Sequence, residues 1–140
     1  MINQQENDLI VQAIQEAEKL TSGEIRVHID KKCPSDPVKR AVTIFEKLGM
    51  HQTEVRNGVL IYVSFSDRKL AIIGDQGIDA VVPANFWVST KDQMIHCFKE
   101  NRFADGIIAA ITEAGMQLKS FFPYMENDEN ELSNEISTEA

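Results

Sequence analysis

Arg56-Asn57-Gly58-Val59-Leu60-Ile61-Tyr62-Val63-Ser64-Phe65 is the stretch on which the fold turns. From Val59 to Val63 it is continuously apolar, the pattern of a central strand covered on both faces rather than one with a wet side. Such a strand requires helices above and below it. Downstream, Ser66-Asp67-Arg68 is short enough to be a hairpin connection into residues 69–74, where Leu70, Ala71, Ile72 and Ile73 form an antiparallel neighbour. Upstream, residues 24–30 alternate, with Ile25, Val27 and Ile29 on one face and Arg26 and His28 on the other, so this strand has one face less buried.

Between these two upstream strands Asp36 caps a helix with Pro37 in its first turn, where proline does least harm. Val38, Ala41, Val42, Ile44, Phe45 and Leu48 supply its apolar stripe and Gly49 stops it. Strand, helix, strand is a crossover unit, so the two strands run parallel with a right-handed connection. The spatial consequence is that Glu24 and Asn57, at the starts of those strands, lie at the same end of the sheet as Asp75, at the finish of the third. Asp30 and the Ser66-Asp67-Arg68 turn lie at the opposite end. Further helices are expected over about residues 6–20, with Leu9, Ile10, Ala13, Ile14, Ala17 and Leu20 at helical spacing, and from Pro83-Ala84-Asn85 through Phe86, Trp87, Met94, Ile95 and Phe98. A break at Asn101 precedes a last helix over about 103–121, ended by Pro123. The expected fold class is α/β, a three-layer α/β/α sandwich with a small mixed β-sheet.

The 140 residues, 43% hydrophobic and 26% charged, fit one soluble domain with one core. No apolar run approaches a membrane span. The first residues carry neither a basic n-region nor an apolar h-region, which predicts a cytoplasmic protein. Of the 22 acids, six fall in residues 124–140 with no Lys or Arg among them, leaving 16 against 14 bases elsewhere. Of the net charge of -8, six units therefore belong to the tail and the body stands at about -2. The body has no basic patch for nucleic acid. We expect a domain over 1–123 and an acidic disordered tail over 124–140. Cys33 and Cys97 match no metal spacing and read as reduced structural thiols, and His28, His51 and His96 have no metal-ligand spacing and read as solvated or core side chains.

The shared sheet end is the candidate working surface. Glu24, Asp75, Asp79 and the Asn57 carbonyl offer the oxygens that hard cations such as calcium and magnesium take. Gly74 and Gly77 allow sharp turns and close approach of backbone to an ion. Arg56 can clamp an anionic ligand, and Trp87 either stacks on a ligand or closes the core. The competing reading is that Asp75 and Glu24 pair with Arg56 or Arg26 and that the glycines only end strands. No hydroxyl, thiol or imidazole stands there as an obvious nucleophile, and no phosphate-binding loop is present.

The ordered series Thr21-Ser22-Gly23-Glu24-Ile25-Arg26-Val27, Arg56-Asn57-Gly58-Val59-Leu60-Ile61-Tyr62-Val63, Asp67-Arg68, Gly74-Asp75-Gln76-Gly77-Ile78, Val82-Pro83-Ala84-Asn85-Phe86-Trp87 and Phe103-Ala104-Asp105-Gly106-Ile107 resembles the TPM-domain family. The name joins a thylakoid lumen protein, a photosystem II repair protein and a nematode receptor modulator. The resemblance spans about residues 6–123 and implies an α/β/α sandwich. It also implies calcium or other divalent-metal binding and, from a thylakoid member, acid phosphatase activity. The expected function is a binding or accessory module with a divalent-cation site at one end of the sheet, its partner a protein or small ligand, with no nucleic acid and no membrane insertion. The alternative is a metal-dependent, acid-phosphatase-like hydrolase using the same site.

Overall fold

A computed structural model describes residues 2–124 and 133–139. The chain runs α1 (Gln4–Ala17), β1 (Glu24–Asp30), α2 (Pro37–Lys47), a 3-10 turn (Met50–Gln52), β2 (Gly58–Ser64), β3 (Lys69–Gly74), α3 (Gln76–Asp79), α4 (Val88–Lys99), α5 (Phe103–Leu118) and β4 (Ser137–Glu139). Helix α1 starts earlier than its apolar stripe because Asn3 and Glu6 form a capping box: the Asn3 side chain accepts from the Glu6 N–H and the Glu6 carboxylate from the Asn3 N–H. In α2 the Asp36 carboxylate caps Val38 and Lys39, with proline in the first turn as expected.

The sheet order is β3-β2-β1-β4. β1 and β2 are parallel, Glu24 opposite Gly58 and Asp30 opposite Ser64. β3 is antiparallel to β2, Val59 opposite Gly74. β4 adds a strand that the sequence does not announce, parallel to β1, with His28 opposite Ser137. The reading of residues 124–140 as disordered is corrected for Ser137–Glu139; residues 125–132 and 140 lie outside the described residues.

All seven positions of β2 are buried. Val59, Ile61 and Val63, with Ile25, Val27 and Ile29 of β1, face α1, α4 and α5. Leu60 and Tyr62 face α2, packing on Ala41, Ile44, Phe45 and Met50. The two cores on opposite faces of one sheet make the three layers, and each fully buried aliphatic side chain contributes roughly 2 kcal/mol of transfer free energy. Helix α4 begins at Val88, not at Pro83. Residues 83–87 form turns instead, with Phe86 N–H donating to Pro83 O and Val88 N–H to Asn85 O. Asn101 takes a left-handed conformation (φ 59°) between α4 and α5, the position at which the sequence predicts a break.

Candidate functional site

Parallel pairing of β1 and β2 brings the three strand mouths together as expected. Glu24 and Asp75 are each 5% exposed and Asn57 is 3% exposed. The Asn57 backbone carbonyl accepts from the Glu24 N–H (3.3 Å), and its side-chain amide donates to Ser22 O (3.2 Å), tying the entry of β1 to that of β2. Asp75 N–H donates to Gly58 O at 2.9 Å.

Arg56 grips Asp75 with both arms: Nε donates to Oδ2 at 2.7 Å and Nη2 to Oδ1 at 2.8 Å. Oδ1 also accepts from the Gln76 N–H, capping α3. The bidentate fork is the strongest form of this pair. Arg56 pays for it in backbone conformation, since its φ of 57° is unusual for a residue with a β-carbon. Thus Arg56 is the partner of a site carboxylate, as the competing reading has it.

Gly77 does make a close approach, but to the protein's own backbone. A β-carbon there would lie 2.5 Å from the carbonyl oxygens of Val55 and Arg56, and its N–H donates to Arg56 O at 2.9 Å. A β-carbon at Gly74 would press on Ile78 at 3.0 Å. Asp79 sits on the exposed side of α3; partial burial and the charge of Asp75 raise its carboxyl above the usual range. Trp87 is half-buried, edge-on to Phe86 (4.7 Å), which in turn meets Phe121 (5.6 Å), so it closes the core over the α4–α5 layer.

Sequence reasoning missed Glu18, just after α1. The Ile25 N–H donates to its Oε2 at 3.1 Å, which places a second carboxylate beside Glu24. Burial pushes its carboxyl up to about 7 against that hydrogen bond, and the Glu24 charge adds to the rise. Among the described residues no three acidic, histidine or cysteine side chains converge in metal-binding geometry. The rim is instead two acid pairs, Glu18 with Glu24 and Asp75 with Asp79, with Arg56 bound to Asp75.

The opposite end of the sheet holds a buried polar network. Asp30, 3% exposed, accepts from Arg40 Nε (2.9 Å), Tyr62 Oη (2.6 Å) and the His28 ring (Nε2, 2.7 Å). Burial works to raise its carboxyl, yet these bonds outweigh it and hold the group at about 2. His28 Nδ1 meets Ser137 Oγ at 2.7 Å. Serine, histidine and aspartate thus stand in the order of a hydrolase relay, but the imidazole is 1% exposed and the carboxylate is shared among three side chains, so the arrangement anchors β4 to β1. Tyr62 reads in sequence as one more apolar residue, and only the aspartate at the end of the parallel strand hints at a partner for its hydroxyl. Cys33 and Cys97 are buried and free, and His96 is exposed on α4.

The family model TPM phosphatase, described as the TPM domain, matches residues 1–117. The NMR structure of the BA42 protein from the psychrophilic bacterium Bizionia argentinensis is 42% identical, with a TM-score of 0.93 over 99% of this chain and 96% of that one. The N-terminal domain of a P. gingivalis protein superposes with a TM-score of 0.71 at 13% identity, covering 90% of this chain and 83% of that one. That of the cg2496 protein from Corynebacterium glutamicum gives 0.66 at 12% identity, covering 97% and 80%. These last two share the fold alone. No curated protein matches. No helix among the described residues is long and apolar enough to cross a membrane. Family match, BA42 likeness and the mixed four-stranded sheet agree, and the chain belongs to the TPM-domain family.

Proposed function

We propose that this chain is a binding module whose acidic rim takes a divalent cation, calcium or magnesium. The observation that carries the reading is the gathering of two acid pairs, Glu18/Glu24 and Asp75/Asp79, at one end of the sheet, with the carboxyls of Glu18 and Asp79 raised by burial and by their acidic neighbours. Like charges held together in a partly desolvated place favour a hard cation that takes carboxylate, carbonyl and water oxygens. Arg56 is the internal counter-ion in its absence. Its side chain is 34% exposed, so it has room to swing outward and release Asp75.

Thermal melts with calcium, magnesium and EDTA test this, because a ligand of the native state raises the melting temperature. Millimolar metal is expected to raise the Tm of the wild type, to leave Glu24→Gln/Asp75→Asn unmoved, and to raise Arg56→Gln by more, since the competing guanidinium is gone. No rise in either the wild type or Arg56→Gln sinks the reading. The name of the family model favours a second reading on the same residues, metal-dependent hydrolysis of a phosphate ester with Arg56 as anion clamp. Hydrolysis of a chromogenic ester that is lost in Asp75→Asn is its readout, in the same set of variants.

A further inference from the structure

A cleft of about 590 Å³ lies at the end of the sheet opposite the acidic rim. Residues 29–31 and 65–66, at and just past the carboxyl ends of the parallel strands β1 and β2, border it, the end at which open α/β sheets bind ligands, and Ile136 and Thr138 flank it from the β4 side. Its volume is in the range of sites that enclose small molecules. Ile29, Phe65, Phe103 and Ile136 supply apolar walls, and Phe65 and Phe103 stand edge to face with ring centres 5.0 Å apart.

The polar part of the lining holds two cations, Lys31 and Arg68, beside Asp30 and the neutral Asn7, Ser66 and Thr138. Arg68 places its guanidinium carbon 5.9 Å from the centre of the Phe103 ring and donates from Nη2 to the neutral Asn101 Oδ1 at 3.0 Å. Neither Arg68 nor Lys31, which also lines the cleft, has an acidic partner among the described residues. Asp30 borders the cleft too, but its carboxylate is occupied by Arg40, Tyr62 and His28. Arg68 is held in the left-handed region at φ 52°, a conformation costly for a residue with a β-carbon. The cation is therefore aimed by the hairpin turn and by its place over the Phe103 ring, and no carboxylate among the described residues answers its charge.

We propose that this cleft binds a small amphipathic carboxylate, a medium-chain acyl anion, with its chain against Phe65, Phe103, Ile29 and Ile136 and its head group against Arg68 and Lys31. The planar fork of arginine suits a carboxylate, and the aromatic walls suit an alkyl chain. The site is remote from the acidic rim, so its fate is independent of the cation reading.

Decanoate is the probe, titrated below its micellar concentration into the full chain and followed by calorimetry and amide NMR shifts. Saturable one-site binding is expected, with shifts grouped around residues 31, 65–68, 103 and 136. Decanol, with the same chain and no charge, and the Lys31→Gln/Arg68→Asn variant with decanoate, are each expected to bind about tenfold more weakly or worse, the loss of a charge-assisted bond. Asparagine tolerates the left-handed backbone, so the variant should keep the wild-type Tm and its weaker binding reports the lost charge. Absence of saturable binding, shifts gathered at residues 18–24 and 75–79 instead, or equal affinity for decanol or in the double variant would overturn the proposal.

Discussion

The carboxyl of Glu18 is pushed by burial up to about 7 from an ordinary 4.5, with Glu24 adding to the rise. A folded-state value above the unfolded one means that the group's contribution to stability is whole below about pH 4.5 and is lost as pH climbs through 7. Glu18→Gln keeps an oxygen to accept the Ile25 N–H and removes the charge. The variant is expected to melt at a higher temperature than the wild type at pH 8 and at a similar one at pH 4; melting curves that stay parallel across that interval would show that Glu18 is not strained. Charge pairing was readable only in part at this level. Asp75 and Arg56 both stand out in the sequence, yet whether the carboxylate faces an ion or a guanidinium depends on a left-handed backbone at Arg56 that no local pattern announces. Glu18 gave no signal, since a glutamate after an exposed helix end looks like any other solvated charge.

Helix α3 is a single turn that leans on the loop before β2 through Gly77, where a methyl group would meet two carbonyl oxygens at 2.5 Å. Backbone cannot yield as a side chain can, so Gly77→Ala is expected to cost about 1–3 kcal/mol in urea denaturation. A loss under about 0.5 kcal/mol would mean that the loop moves aside freely. The sequence shows the need for a glycine at this place, but not that what it approaches is the protein's own backbone rather than a ligand. Strands β1, β2 and β3 follow from period and hairpin length, but β1 is buried on both faces, its expected less-buried face covered at Glu24, His28 and Asp30, and β3 buries only Ala71 and Ile72 fully. Residues 83–87 form turns rather than a helix start, and there Phe86 stands edge-on to both Trp87 and Phe121. β4 was invisible: Ser137, Thr138 and Glu139 carry no apolar run, and what recommends them to β1 is a buried histidine in need of a hydroxyl.

Across the molecule, the family match ends at residue 117 while the sheet is completed by residues 137–139, so a fragment cut at the edge of the recognised domain would lose a strand. A chain ending at Pro123 is expected to remain folded, because both hydrophobic cores lie almost wholly before it. Its Tm should fall by about 3–8 °C, the equivalent of roughly 1–2 kcal/mol for a chain of this size, as β1 loses its outer neighbour and the His28 ring its hydroxyl partner. An unchanged Tm, or wild-type NMR shifts at residues 28–30, would show that β4 adds nothing to the native state. His28 and Ser137 are 109 residues apart along the chain. During synthesis β1, β2 and β3 are all made well before Ser137 is added, so until β4 pairs those three strands leave β1 as a bare edge. That interval is when a nascent chain is most open to pairing with another copy, and Arg26 and His28, polar residues in the middle of that edge strand, are what would discourage it.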